Sequence, residues 1–253
     1  YLFDELRPTP MLSAGVIYFG GIAGINITAS HNPSAYNGYK LYWDDGAQPT
    51  KQIADHVSSY IYNSDIFEGV PSPDKANRSL ITMVGKEFDE VFIKKVMDEQ
   101  VYPNVIERAA DNLEVVYTPL FGAGYRIVPE VLRRIGVKHI NTVDAQMTPN
   151  GNFPGLEKPN PEYPAAFAEG IKVASAVNSD LIIATDPDCD RVGVMARDKN
   201  GEFRCITGNQ MGSLLLDYIF TALEKQNKMP KDAYAIKTIV TSEMPTKICE
   251  IHH

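Results

Sequence analysis

Apolar and polar residues alternate over Tyr39–Trp43. Tyr39, Leu41 and Trp43 fall on one face and Lys40 and Tyr42 on the other, the two-residue period of a strand. Upstream, Ile25, Ile27 and Thr28 form a second short β-type run. The two runs predict a strand–loop–strand unit. Asn37-Gly38 predicts a turn before the second strand, because both residues tolerate positive φ, and Asp44-Asp45-Gly46 closes the unit. Helical spacing appears over Met11–Phe19 (Leu12, Val16, Phe19), Lys51–Ile61 (Ile53, Val57, Ile61), Lys86–Val101 (Phe88, Val91, Phe92, Val96) and Asn209–Leu223 (Met211, Leu214, Leu215, Tyr218, Leu223). Residues 113–117, 137–143, 180–184, 192–196 and 203–206 read as strands, with helices over 127–135 and 163–175 between the first three. That alternation predicts a parallel or mixed α/β sheet. Leu2-Phe3 reads as a strand tail, and Arg7-Pro8-Thr9-Pro10 as a turn able to start a helix. Asn63–Leu80, rich in breakers, reads as a linker. Ala235–Val240 is expected to be a strand and Met244–Ile251 the helix after it.

Composition narrows the function. The 253 residues are 44% hydrophobic and carry a net charge of -8, with a sequence pI of about 5.2. That balance argues against nucleic acid and against a basic membrane-binding patch, while leaving room for a local cationic site that holds a phosphorylated metabolite. Cys189, Cys205 and Cys249 have spacings that suit neither zinc nor a redox pair, so a reducing cytoplasm is the expected compartment. No apolar run reaches transmembrane length. Tyr1-Leu2-Phe3-Asp4-Glu5 lacks the features of a signal peptide. Asn26-Ile27-Thr28 and Asn77-Arg78-Ser79 match the glycosylation pattern, but the first lies in an expected strand. His252-His253 are either native or a tag remnant and are treated as non-functional.

Two stretches carry chemistry. In the first, Ala29-Ser30-His31-Asn32-Pro33, a hydroxyl beside an imidazole in a tight loop is a candidate nucleophile with an acid/base neighbour; a plain polar connection is the bland alternative. In the second, Thr185-Asp186-Pro187-Asp188-Cys189-Asp190-Arg191 follows a buried-type strand, at the strand end where α/β sheets place ligands. Three alternate carboxylates repel unless a positive charge sits among them, and a hard dication is the natural one. A calcium loop counted from Asp186 fails, because Arg191 and Arg197 stand where glycine and glutamate are needed. An aspartyl-phosphate enzyme also places Asp-x-Asp after a strand; that reading stays open on spacing, although it leaves Ser30 without a role. Gly122-Ala123-Gly124 invites a dinucleotide reading but lacks the third glycine, and reads as a tight strand-to-helix turn. Ser30 also lacks the flanking glycines of a hydrolase elbow.

Thr28-Ala29-Ser30-His31-Asn32-Pro33 followed by Asn37-Gly38-Tyr39-Lys40, with Asp186-Pro187-Asp188-Cys189-Asp190-Arg191 far downstream, resembles the α-D-phosphohexomutases, most closely the bacterial phosphoglucomutase/phosphomannomutase type. The likeness runs along nearly the whole chain. It implies mixed-sheet, three-layer α/β/α domains: a partial first domain (1–63) with the serine loop, a linker (64–80), a complete second domain (81–207) with the metal loop, and the beginning of a third (208–253). It further implies that Ser30 carries a phosphoryl group, that Asp186, Asp188 and Asp190 hold Mg2+ with an oxygen of phospho-Ser30, and that His31, Lys40 and Arg191 line the reacting centre. Arg7, Thr28, Asn32 and Lys40 are assigned to the substrate. The implied reaction interconverts hexose 1-phosphate and hexose 6-phosphate, glucose foremost, through a bisphosphate; glucose 1,6-bisphosphate is the activator or intermediate. Phosphomannomutase and phosphopentomutase stay open. The family's initial segment, its sugar-contacting Glu-x-Ser loop and its fourth-domain phosphate loop are not found, so little or no activity is expected of this chain alone. The alternative from another class is a non-catalytic metal- or phosphosugar-binding remnant that associates through exposed sheet edges.

Overall fold

The computed structural model describes residues 1–65, 67–68, 72–75, 77–102 and 105–252. Part of the expected 64–80 linker, and His253, lie outside the described residues.

The first segment runs β1 (Leu2–Phe3), α1 (Thr9–Phe19), β2 (Ala23–Ile27), β3 (Tyr39–Trp43) and α2 (Lys51–Tyr62). Pro10 sits in the first turn of α1, where its missing N–H costs nothing. Gly20, at φ 63, ends the helix, and the amide of Gly21 returns to the Val16 carbonyl at 2.8 Å. Strands β2 and β3 pair antiparallel, with Ile25 opposite Leu41 and Asn26 opposite Lys40. The hairpin is turned opposite to its apolar alternation. A Cβ on Gly24 would meet Val16 at 2.6 Å, so α1 lies on the face that carries Gly24, and Tyr42 is buried, while Ile25, Ile27 and Tyr39 are exposed. Asn26 and Lys40 are therefore free to serve the interior as polar groups. The Asn37-Gly38 turn is corrected in one respect: the left-handed residue of this loop is Ser30, at φ 52, and neither Asn37 nor Gly38 has positive φ.

Strand β4 (Met83–Val84) pairs in parallel with β1, and α3 (Lys86–Asp98) follows it. Their side chains return to the first segment: Met11, Val84, Phe88 and Ile93 form one buried cluster, which Ile127 joins from farther along the chain. Residues 83–93 thus share a core with residues 1–19.

The main sheet has the order β6-β5-β7-β8-β9, from β5 (Glu114–Thr118), β6 (His139–Thr142), β7 (Leu181–Thr185), β8 (Val192–Arg197) and β9 (Phe203–Ile206). The first three are parallel, as crossovers through α4 (Ile127–Arg134) and α5 (Ala168–Ala176) require; β8 and β9 add antiparallel. Val115, Val116, Tyr117 and Thr118 are all buried, the mark of a strand covered on both faces. Val116, Phe167, Ala174, Ile182 and Met195 pack in its core.

Helix α6 (Gly208–Lys225) opens with a capping box between Thr207 and Gln210, and α7 (Met244–Ile251) packs on it. The strand expected at 235–240 is absent. Ile236, Ile239 and Val240 are exposed and no described strand pairs with them; β-type sequence makes a strand only when a neighbour takes up its backbone hydrogen bonds. His252 is not idle: its ring lies between Glu224 and Asp217, which raise its pKa, and edge-on to Phe220. Among the described residues no helix is long and apolar enough to cross a membrane.

Candidate active site

Two loops meet between the hairpin and the carboxyl end of β7. The serine loop clasps itself. The Thr28 hydroxyl accepts the Ser30 amide at 2.8 Å, the Thr28 amide reaches the Gly38 carbonyl at 3.0 Å, and the Asn32 side chain donates to the Ala29 carbonyl at 2.9 Å. These bonds hold Ser30 in the left-handed region, a strained conformation for a residue with a side chain, and aim its Oγ across the gap. There it lies 3.1 Å from Asp186 Oδ2 and 3.2 Å from His31 Nδ1. Thr28 and Asn32, expected at the substrate, also shape this loop, and Thr28 lines the cavity beside it.

The aspartate loop is held from within by Asp186, whose Oδ1 accepts the amides of Asp190 (3.2 Å) and Arg191 (3.0 Å). Cys189 in this loop is also left-handed, at φ 57. Oxygens of Asp186, Asp188 and Asp190 lie within 4.8 Å of one another, with Asp186 and Asp188 buried. Lys40, expected to line the reacting centre, bridges Asp188 Oδ2 and Asp190 Oδ2 at 2.6 Å each. Burial first, and then the neighbouring Asp188, raises the pKa of Asp186. Burial also acts to raise that of Asp188, but the bond from Lys40 and its other partners outweigh it and the net shift is downward. His31 is lowered, by burial and then by the Arg191 charge.

One carboxylate oxygen, Asp188 Oδ1, is buried with no hydrogen-bond partner. A charged oxygen left so is costly unless a cation meets it. Three close carboxylates with an orphaned buried oxygen fit a hard divalent ion such as Mg2+, which prefers oxygen ligands.

Arg191 is held by Glu162 at 3.0 Å as well as by its own amide. Arg7 lines the cavity beside Ser30, but its guanidinium, 3% exposed, is engaged with carboxylates: it grips Asp89 at 2.6 and 3.1 Å and Asp4 at 3.0 Å, with Arg126 also on Asp89. The sequence reading missed Thr9, Asn26 and Glu162, which support the site from distant positions. It also missed why the turn at 122–124 is glycine-rich. A Cβ on Gly122 would fall 2.2 Å from Pro187 Cα, and one on Gly124 2.4 Å from the Tyr117 hydroxyl, while the Ala123 amide holds the Pro187 carbonyl at 2.7 Å. The aspartate loop rests on this turn. Gly122→Ala is accordingly expected to cost about 1–3 kcal/mol by overpacking and to weaken metal binding with it, read by calorimetric unfolding and Mn2+ titration. Beside Ser30 opens a cavity of about 480 Å3, lined in part by Thr28, Tyr36, Phe121, Asn150 and Phe153.

Two family models match the chain. Phosphoglucomutase/phosphomannomutase α/β/α domain I covers residues 1–66 and domain II covers residues 90–201. The phosphoglucomutase of Staphylococcus epidermidis is 36% identical over 255 residues, and that of Staphylococcus aureus 36% over 254. Each alignment takes in 100% of this chain but only 45% and 44% of the relative, so the chain spans less than half the length of these curated relatives. Among solved structures, a putative phosphomannomutase from Thermus thermophilus superposes with a TM-score of 0.66 at 22% identity, over 88% of this chain and 46% of that one. A family protein from Burkholderia thailandensis gives 0.61 at 18% identity, over 87% and 43%. These likenesses show the mixed α/β fold of the family's domains.

Proposed function

Because this chain belongs to the phosphoglucomutase/phosphomannomutase family of isomerases, we propose that it carries the phosphoryl-transfer centre of a hexose-phosphate mutase, with Ser30 as the phosphoryl carrier. The observation that supports this most is the meeting of Ser30 Oγ with Asp186 at 3.1 Å, beside the unpartnered Asp188 Oδ1. Glucose is the proposed sugar, since the curated relatives are phosphoglucomutases.

In the proposed cycle, phospho-Ser30 gives its phosphoryl group to the free hydroxyl of a hexose monophosphate. One serine O–P bond breaks and one sugar O–P bond forms; the sugar hydroxyl loses a proton and the serine oxygen gains one. The resulting bisphosphate, glucose 1,6-bisphosphate, then returns its other phosphoryl group to Ser30. His31 Nδ1, 3.2 Å away and with its pKa lowered, is placed to exchange a proton with the serine oxygen. Lys40 sets the carboxylates of Asp188 and Asp190 side by side, and Glu162 fixes Arg191 next to them. Asp186, Asp188 and Asp190 would hold Mg2+, which when bound would supply the charge neutralisation that phosphoryl transfer depends on. The three free cysteines accord with a cytoplasmic setting.

The test is incubation with glucose 1,6-bisphosphate and Mg2+, followed by intact mass with and without phosphatase. Gain of one phosphoryl group, mapped to Ser30, is expected, with slight turnover of glucose 1-phosphate in a coupled assay. A chain that takes up no phosphate, or takes it up at an aspartate, overturns the reading.

A further inference from the structure

Asp188 has two unequal oxygens, and the inequality has a source outside its own loop. Its Oδ2 accepts from Lys40 at 2.6 Å and from the Thr9 hydroxyl at 3.2 Å. The Thr9 hydroxyl in turn accepts from the Asn26 side chain at 2.6 Å, and the Thr9 amide donates to the Asp188 carbonyl at 2.8 Å. A hydroxyl has one proton. With Asn26 donating to Thr9, that proton is directed to Asp188 Oδ2, so the relay has one polarity: Asn26 to Thr9 to Asp188. Thr9, at the start of α1, is buried, and Asn26 stands opposite Lys40 on the hairpin, so α1 and the hairpin both bear on Oδ2. What remains is Oδ1, turned inward and unpartnered.

We propose that Thr9 and Asn26 are positioning residues for the metal centre: with Lys40 they saturate Asp188 Oδ2 and so reserve Oδ1 for the cation, and they tie the strand that leads into the serine loop to the loop that carries the ligands. This rests on the metal reading of Asp186, Asp188 and Asp190. Asn26 lies on β2, which leads directly into Ser30, so the relay sets the distance between nucleophile and ligand loop. Groups that orient ligands from behind typically change metal affinity by about 10–100-fold.

The probe is Mn2+ alone, followed by electron paramagnetic resonance, with thermal unfolding recorded in chelator for every variant. Asp186→Asn is expected to abolish tight binding. Thr9→Val, which keeps shape and loses the hydroxyl, is expected to weaken binding by at least about tenfold. Thr9→Ser is expected to restore it. Asn26→Ala is expected to weaken binding, and to add little on top of Thr9→Val, because both break one relay. If wild type and Thr9→Val bind Mn2+ alike while Asp186→Asn does not bind, the metal reading stands and this inference falls. Thr9→Ser binding as weakly as Thr9→Val also overturns it, as does a loss of affinity matched by equal loss for a destabilising variant away from both loops, such as Ile248→Ala on α7. A wild-type chain that binds no Mn2+ overturns both readings together.

Discussion

Ser30→Ala should leave a chain that takes up no phosphoryl group from glucose 1,6-bisphosphate yet still binds Mn2+ within about tenfold of wild type. The hydroxyl is the only group on this loop aimed at the carboxylates, 3.1 Å from Asp186, and alanine deletes it while keeping a Cβ. The separation of effects follows from the geometry. Asp186 Oδ1 keeps its two amides, and Asp188 keeps Lys40 and Thr9, so the ligand loop stays built. Ser30→Gly adds a check on strain. Glycine adopts φ 52 freely, so it should be more stable than alanine here by about 1 kcal/mol, measured by urea unfolding, and equally unable to take phosphate. Retention of phosphate by Ser30→Ala would place the carrier elsewhere, with the first aspartate as the natural rival.

The largest stability effect should come from Arg7→Met. Its guanidinium is almost wholly buried against Asp89, itself 7% exposed, and removing one partner of such a pair leaves a buried charge uncompensated. Losses of about 3–5 kcal/mol are usual for this. Arg126 stays on Asp89, which puts the expected value near the lower end, about 3 kcal/mol by urea unfolding. The double change Arg7→Met with Asp89→Leu should recover much of the loss, because the orphaned charge goes with it. Were Arg7 chiefly a substrate contact, as its place in the motif suggests, Arg7→Met would leave the unfolding midpoint unchanged and weaken only sugar-phosphate binding.

Arg7 shows where sequence reading loses its grip. A single sequence says that an arginine stands before Pro-Thr-Pro; it does not say that an aspartate far downstream will enclose it. The hairpin was legible because alternation is a local property, yet its inward face was not. Tyr39, Leu41 and Trp43 look like a buried stripe, but α1 packs over Gly24 on the opposite face. The Asp186, Asp188 and Asp190 cluster was legible because the spacing brings like charges together wherever the loop goes. Thr9 and Asn26 were invisible as site residues: a threonine in a turn and an asparagine in a strand carry no local sign of a bond to Asp188. The segment at 235–240 misled in the reverse direction, since its composition states a preference for pairing and not the presence of a partner.

The bonds of the site join residues far apart in the chain. Thr9 meets Asp188 across 179 positions, and Ser30 meets Asp186 across 156. Ribosomes add roughly 5–20 residues per second. A nascent chain therefore carries its serine loop for on the order of ten seconds or more before the aspartates that complete it have been made. During that interval Ser30 has only its sequence neighbour His31 for a partner; its contact with Asp186 forms only when β7 has docked beside β5.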